Sequence, residues 1–136
     1  MYFVDTSAWI AHFDRTDSNH EAAVRFVRRL DRPLLTTNYV LDEVITLARR
    51  RLGHTAAVTL ATTILEQKAA RLVRILPEDE EEAWQLFVRY EDKTLSFTDC
   101  TSFAIMRRLN LREAFTFDHH FTQLGFLRVP ASRVVP

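Results

Sequence analysis

Acidic side chains are the residues of this chain whose types and positions could do chemistry. Four of them fall where a predicted strand ends or where a predicted helix begins or runs, namely Asp5, Glu43, Asp99 and Asp118. If one fold brings these carboxylates together, their mutual repulsion calls for a divalent cation in the same pocket. Hard oxygen ligands select Mg²⁺ or Mn²⁺. The pattern therefore predicts metal-assisted hydrolysis of a phosphodiester bond.

Two of the acids follow short apolar strands near opposite ends of the chain. Residues 1–4 precede Asp5, and residues 114–117 precede Asp118. Because the carboxyl ends of parallel strands meet at one edge of a sheet, we expect these two side chains to share that edge.

Apolar periodicity predicts helices that alternate with short strands along the chain. The predicted helices cover residues 7–13, 20–30, 38–52, 55–70, 78–90, 98–109 and 119–124. The predicted strands cover residues 1–4, 34–36, 72–76, 114–117 and 126–129. This alternation predicts an α/β fold, a three-layer domain in which helices flank a central parallel sheet. We expect residues 1–136 to form one domain.

The composition narrows the classes of function. The 18 Lys and Arg residues balance 18 Asp and Glu residues, so a polyanion must bind to local patches and not to a net positive charge. With two glycines the chain cannot build a glycine-rich phosphate loop, and the lone Cys100 excludes an internal disulfide. No cationic leader or long apolar span occurs, so we expect a soluble cytoplasmic protein.

Three of the acids also have local explanations. Asp5 and Asp118 each precede a predicted helix and could cap its first turn. Asp99 stands three residues after Ser96, which is the spacing of a capping box. Three separate caps would account for these residues without any function.

Glu43 has a weaker local explanation, because it lies at the border of the apolar stripe of its predicted helix. A carboxylate at the edge of a buried face is costly unless a proton, a cation or hydrogen-bond donors lie nearby. A bound metal would meet that need, and so would an ion pair with Arg29 or Arg50 at the surface.

Other side chains could contribute to binding. His119 and His120 adjoin Asp118, but two histidines at the start of a short helix are typically exposed. Arginine clusters at 28–29, 49–51 and 107–108 offer local cations for RNA, although arginines in the last turn of a helix also complement its dipole. Four aromatic residues could stack on bases or belong to the core: Trp9, Phe13, Tyr39 and Trp84.

Four short segments carry a resemblance to a known family. They are residues 4–7 (VDTS), 40–44 (VLDEV), 95–100 (LSFTDC) and 115–118 (FTFD), in this order and at this spacing. Together they resemble the PIN-domain ribonucleases, and most closely the VapC-like toxins of VapBC toxin–antitoxin pairs. The resemblance runs nearly from end to end and implies a PIN-like three-layer fold.

The resemblance also implies roles for individual residues. The family's acidic quartet, which is catalytic and binds the metal, corresponds to Asp5, Glu43, Asp99 and Asp118 without a departure. Its hydroxyl residue near the first acid corresponds to Ser7, or alternatively to Thr6, and a further small or hydroxyl position to Thr98.

The activity and partners implied by the resemblance are those of a toxin. Members cleave RNA with Mg²⁺ or Mn²⁺, usually form homodimers, and are silenced by a small antitoxin whose tail occupies the active-site groove. Hydrolysis by in-line attack of water leaves a 5′-phosphate and a 3′-hydroxyl.

Rival interpretations differ in testable ways. A phosphatase of the haloacid-dehalogenase type needs a second acid two residues after the first, where this chain has Ser7. A response-regulator receiver needs a lysine after a late strand, and neither Lys68 nor Lys93 lies there. A non-catalytic interaction module, with the acids serving as caps, stays open, as does a PIN-type nuclease that acts on DNA or structured nucleic acid.

Overall fold

The computed structural model describes residues 1–131, which form a parallel sheet flanked by helices. Within these residues the strands are β1 (Tyr2–Val4), β2 (Leu34–Thr37), β3 (Arg71–Val73), β4 (Glu113–Phe115) and β5 (Leu127–Val129). The helices are α1 (Thr6–Phe13), α2 (His20–Arg28), α3 (Asn38–Leu52), α4 (His54–Leu65), α5 (Pro77–Arg89), α6 (Phe97–Arg108) and α7 (His120–Gln123). The predicted three-layer α/β fold is confirmed.

The strand order of the sheet is β3-β2-β1-β4-β5, and every pairing is parallel. The chain moves outward from β1 through β2 to β3 and then returns to the other side of β1 with β4. Ligands of open parallel sheets bind at the carboxyl ends of the strands where the order reverses. The reversal here lies between β1, which ends directly before Asp5, and β4, which Thr116 and Phe117 separate from Asp118.

Helix α6 places the Asp99 carboxylate in the same region, and the burial of most of the helix fixes its position. Every residue from Asp99 to Met106 is buried, and Ser96 caps the helix by accepting the Asp99 N–H at 3.0 Å. The helix packs between α5 and α3. Its amino-terminal turn is therefore held in place by both capping and burial.

Several helix and strand boundaries differ from the predicted ones. The cause is either a residue with an unusual backbone angle or a contact between residues that are distant in sequence. Helix α4 ends at Leu65 instead of near residue 70 because Gln67 adopts a left-handed φ of 53°. Strand β4 ends at Phe115 instead of residue 117, and the Phe117 N–H donates to the Ser7 hydroxyl at 3.0 Å.

None of the helices within residues 1–131 combines the length and the apolar character that crossing a membrane requires.

Candidate active site

All four predicted acids line one cavity of about 310 Å³. Asp5 follows β1, Glu43 lies on α3, Asp99 lies in the first turn of α6, and Asp118 follows β4. The side chains come from four separate segments of the chain, and the fold brings them together at the switch point of the sheet.

The capping interactions that the sequence predicts for Asp5 and Asp99 are present as well, whereas the N-cap of α7 is His119 and not Asp118, and it has no side-chain capping bond. The Asp5 carboxylate accepts the Ser7 N–H at 3.4 Å, and the Asp99 carboxylate accepts the Ser96 N–H at 3.0 Å. The Asp118 carboxylate accepts the His120 N–H at 2.9 Å. The caps therefore do not compete with a site, because they fix the orientation of carboxylates that also line the cavity.

Each of the four carboxylates keeps one oxygen that receives no hydrogen bond from residues 1–131. The bonds to Asp5 and Asp99 all reach Oδ2, and the bond to Asp118 reaches Oδ1. Glu43 accepts one long bond, from the Ser96 hydroxyl to Oε2 at 3.5 Å. It makes no ion pair with Arg29 or Arg50. The oxygens without protein donors are those available to a cation.

Asp5 is held by a hydroxyl network that links the two central strands. Ser7 Oγ and Thr116 Oγ1 donate to Asp5 Oδ2 at 2.9 Å and 2.8 Å, and the two hydroxyl oxygens lie 3.2 Å apart. Thr116 Oγ1 also accepts the Asp118 N–H at 3.0 Å. Ser7 therefore positions the first acid, and Thr116 connects it to the fourth.

Burial and mutual repulsion make the ionised state of two acids costly. Burial raises the pKa of Asp5 to about 6, against the hydrogen bonds from Thr116 and Ser7, which lower it. Burial, and after it the negative charge of Asp5, raise the pKa of Asp99 to about 7. At pH values near or below these pKa values, a proton therefore competes with a cation for these acids.

Two buried polar atoms beside the acids have no hydrogen-bond partner within residues 1–131, namely Thr6 Oγ1 and His120 Nδ1. His120 Nδ1 lies 2.9 Å from Asp118 Oδ1 without hydrogen-bond geometry, whereas His119 is exposed. Exposure of both histidines was expected, and for His120 that expectation is wrong. Buried polar atoms without partners in residues that line an acidic cavity fit a hydrated divalent cation, since its waters would satisfy them.

Some residues that the sequence singled out lie elsewhere. Thr98 does not line the cavity, and its carbonyl accepts the hydroxyls of Thr101 and Ser102. Trp9 is buried and donates from Nε1 to Thr36. Trp84 is 55% exposed and also lies outside the cavity lining.

The arginine pair at 107–108 has structural partners on α5. Arg108 makes two hydrogen bonds to Asp79, at 2.7 Å and 2.9 Å, and Arg107 lies 3.4 Å from Glu82. Both arginines thus join α6 to α5, which is a structural role that stands beside the expectation that they offer cations to the substrate.

Thr116 was missed by sequence reasoning and gives a direct test of the network. Replacing Thr116 by Val should weaken Mn²⁺ binding at pH 6.5 by roughly tenfold, because a hydrogen bond to a charged group contributes about 1.5 kcal/mol or more. Without that bond the pKa of Asp5 rises further, so protons compete better with the cation. Isothermal titration calorimetry at pH 6.5 and pH 8 checks this, and Thr116→Ser, which keeps the hydroxyl, should bind as the wild type does.

Comparison with known proteins identifies the family of the chain. The sequence matches the PIN domain family over residues 2–127. It is 40% identical over 129 residues to the 23S rRNA-specific endonuclease VapC20 of Mycobacterium tuberculosis, covering 95% of this chain and 98% of that protein. It is 26% identical over 122 residues to ribonuclease VapC26 of the same species, covering 89% of this chain and 90% of that protein.

Solved structures show the same fold. The crystal structure of Mycobacterium tuberculosis VapC20, a sarcin-ricin loop cleaving toxin, matches with a TM-score of 0.88 at 38% identity, covering 93% of this chain and 97% of that one. FitAcB from Neisseria gonorrhoeae shares the fold with a TM-score of 0.69 at 16% identity, covering 94% and 96% of the two chains. The chain therefore belongs to the PIN domain family.

Proposed function

We propose that this protein is an endoribonuclease that uses Mg²⁺ or Mn²⁺ to hydrolyse RNA phosphodiester bonds, leaving 5′-phosphate and 3′-hydroxyl ends. The observation that carries the proposal is the convergence of four carboxylates in one cavity, each with one oxygen that receives no hydrogen bond from residues 1–131. The relatives VapC20 and VapC26 are an endonuclease and a ribonuclease by name. That residues 1–136 form one domain stays a prediction, because residues 132–136 lie outside the described part of the chain.

Asp5 and Asp99 are the first choices to hold the cation, with Asp118 completing the site. When bound, the cation offsets charge on the phosphoryl oxygens and makes water more acidic. Glu43 is half-buried and has no ion pair within residues 1–131, so its carboxylate can orient the attacking water and accept its proton.

The hydroxyl residues Thr6, Ser7 and Thr116 have different roles beside the acids. Ser7 and Thr116 fix Asp5 through their bonds to Oδ2, so their hydroxyl groups are already engaged. Thr6 Oγ1 is buried without a partner within residues 1–131 and lies in a residue that lines the cavity. Thr6 therefore suits a contact with a water bound inside the site, and Ser7 suits the role of a positioning residue.

The biological role that we propose is that of the toxin in a type II toxin–antitoxin pair, acting in the cytoplasm as a homodimer that a small antitoxin inhibits. VapC20, which is 38% identical in the structural comparison, is described as a toxin. Helix α5 exposes Trp84, Phe87 and Val88, and contiguous apolar side chains of this kind suit an interface with another protein chain.

Cleavage of RNA by the purified, partner-free protein tests the proposal. The substrates are total RNA, 23S rRNA and a single-stranded DNA, each incubated with Mn²⁺, Mg²⁺ or EDTA. We expect RNA to be cut with either cation and not with EDTA, because the acids cannot hold an unshielded phosphate among their charges.

The product ends distinguish the outcomes. Ligation-based mapping that finds 5′-phosphates supports hydrolysis by water, and 2′,3′-cyclic phosphates or cutting in EDTA contradict it. Cutting of DNA alone would support the alternative that the enzyme acts on DNA. Folded protein that shows neither cleavage nor a Mn²⁺-dependent rise in melting temperature would support the interaction module.

A further inference from the structure

The cavity that holds the four acids has one cationic side chain in its lining. Among the residues within 1–131 that line it, Arg51 is the single Lys or Arg. An RNA strand must bring its phosphates to a strongly acidic pocket, and the formal net charge of the chain is zero. A cation at the rim is therefore the feature that offsets the repulsion of the neighbouring phosphates.

Arg51 is placed there by the periodicity of α3. Glu43, Leu47 and Arg51 follow one another at intervals of four residues, and all three line the cavity. Residues spaced by four share one face of a helix, and eight residues rise about 12 Å along its axis. Arg51 therefore extends the lining of the cavity from Glu43 toward the end of the helix.

Arg49 and Arg50 occupy the same last turn but point to other faces. A step of one residue rotates the side chain by about 100° around the helix, and neither arginine lines the cavity. All three arginines are exposed, and none makes an ion pair within residues 1–131. Arg49 and Arg50 are therefore matched controls for Arg51, because they carry the same charge at the same end of α3 but do not line the cavity.

The segment before α2 supplies a polar group to the same cavity. Asn19 stands at the N-cap of α2, yet its side chain makes no capping hydrogen bond, and it lines the cavity. Asp17 Oδ1 accepts the Asn19 N–H at 2.8 Å, and Asp14 Oδ1 accepts the Thr16 N–H at 2.9 Å. The turn is therefore fixed by its own acids, and the Asn19 amide is left available for a ligand.

We propose that Arg51 and Asn19 form a phosphate-binding subsite for the nucleotide next to the cleaved bond. The guanidinium binds a backbone phosphate by charge-assisted hydrogen bonds, and the amide donates to the same phosphate or its sugar. The subsite rests on the proposed ribonuclease function. It binds substrate without touching the reacting atoms, so it acts on affinity and leaves the chemical step unchanged.

Steady-state cleavage of a short RNA that contains the mapped cut site tests the subsite. Arg51→Ala should raise KM roughly tenfold with kcat within about twofold of the wild type. The slope of log(kcat/KM) against log[salt] should become shallower by about 0.7, the value for one phosphate contact on a single strand. Arg50→Ala should change neither quantity, Arg51→Lys should recover part of the loss, and Asn19→Ala should raise KM by a smaller factor.

A chemically altered substrate identifies the contact. An uncharged methylphosphonate linkage placed in turn at each position beside the cut should, at one position, cost the wild type as much as Arg51→Ala does. The same linkage should cost Arg51→Ala little more, because the contact is already lost.

Two results would overturn the subsite, and they are distinguishable. If the wild type cuts RNA and Arg51→Ala matches Arg50→Ala in KM and salt slope, the subsite is wrong and the ribonuclease function stands. If the folded wild type cuts no RNA with either cation, the ribonuclease function fails and the subsite fails with it.

Discussion

Replacing Asp99 by Asn should lower the rate of RNA cleavage at least about a hundredfold while the protein remains folded. The amide oxygen of Asn can still accept the Ser96 N–H that Asp99 accepts at 3.0 Å, so the capping box of α6 survives. The negative charge is lost, and with it a ligand that holds the cation. Single-turnover cleavage at saturating Mn²⁺ and a thermal melt measure the two effects separately.

A matched control for this variant lies on α3. Asp42 is exposed and adjacent to Glu43, but it does not line the cavity. Asp42→Asn removes the same charge from the protein and should cleave at the wild-type rate. If Asp99→Asn cleaves within tenfold of the wild type, Asp99 does not hold the cation, and the assignment of the quartet is wrong.

The convergence of the four acids in one cavity could be predicted because each of them is marked by its position in a local element. Asp5 and Asp118 follow apolar strands, Asp99 has the spacing of a capping box, and Glu43 lies at the border of an apolar stripe. Such signals depend only on residues that are close in sequence, so they can be recognised without knowledge of the tertiary structure. The parallel sheet then brings strand ends to one edge, which a βαβ pattern predicts.

The supporting residues could not be predicted because their partners are distant in sequence. Thr116 and Asp5 are 111 positions apart, and a threonine at the end of an apolar strand carries no signal of its own. The burial of His120 likewise depends on the packing of the whole sheet edge.

The acidic run at the start of α5 shows the same limit. Favourable interaction with the helix dipole accounts for Glu78 and Glu80 in the first turn. Asp79 lies between them, yet it is buried and paired with Arg108, which is 29 residues away. Sequence patterns do not separate a buried acid from its exposed neighbours in a charged run.

The metal-free protein should lose stability as the pH rises from about 4 to about 7, and Mn²⁺ should restore it. The folded protein raises the pKa of Asp5 to about 6 and that of Asp99 to about 7, whereas unfolded aspartates titrate near 4. Between these values the folded state binds more protons than the unfolded state, so the free energy of unfolding falls as the pH rises. Below pH 4 the contribution is complete, and above pH 7 it is lost.

Because the cation binds the ionised acids, its effect should have the opposite pH dependence. The rise in melting temperature caused by Mn²⁺ should be largest at pH 8 and nearly absent at pH 5, where protons occupy the site. Melting curves between pH 4.5 and pH 8, in EDTA and in Mn²⁺, measure both trends. A Mn²⁺ effect of equal size at pH 5 and pH 8 would contradict the assignment of these acids to the cation site.

Asp99→Asn tests how much of the pH dependence of stability in the metal-free protein comes from the acids of the cavity. The variant should flatten the fall in stability between pH 4 and pH 7 and should melt above the wild type in EDTA at pH 8, because it removes a buried charge that repels Asp5. The buried Asp79 acts in a different range: burial raises its pKa, but the hydrogen bonds from Arg108 and the Leu76 N–H, together with the Arg108 charge, outweigh burial and hold the pKa below its ordinary value. Its contribution is lost only as the pH falls below about 4. The metal-free wild type should therefore be most stable near pH 4 to 5, and Asp99→Asn should broaden that maximum toward neutral pH.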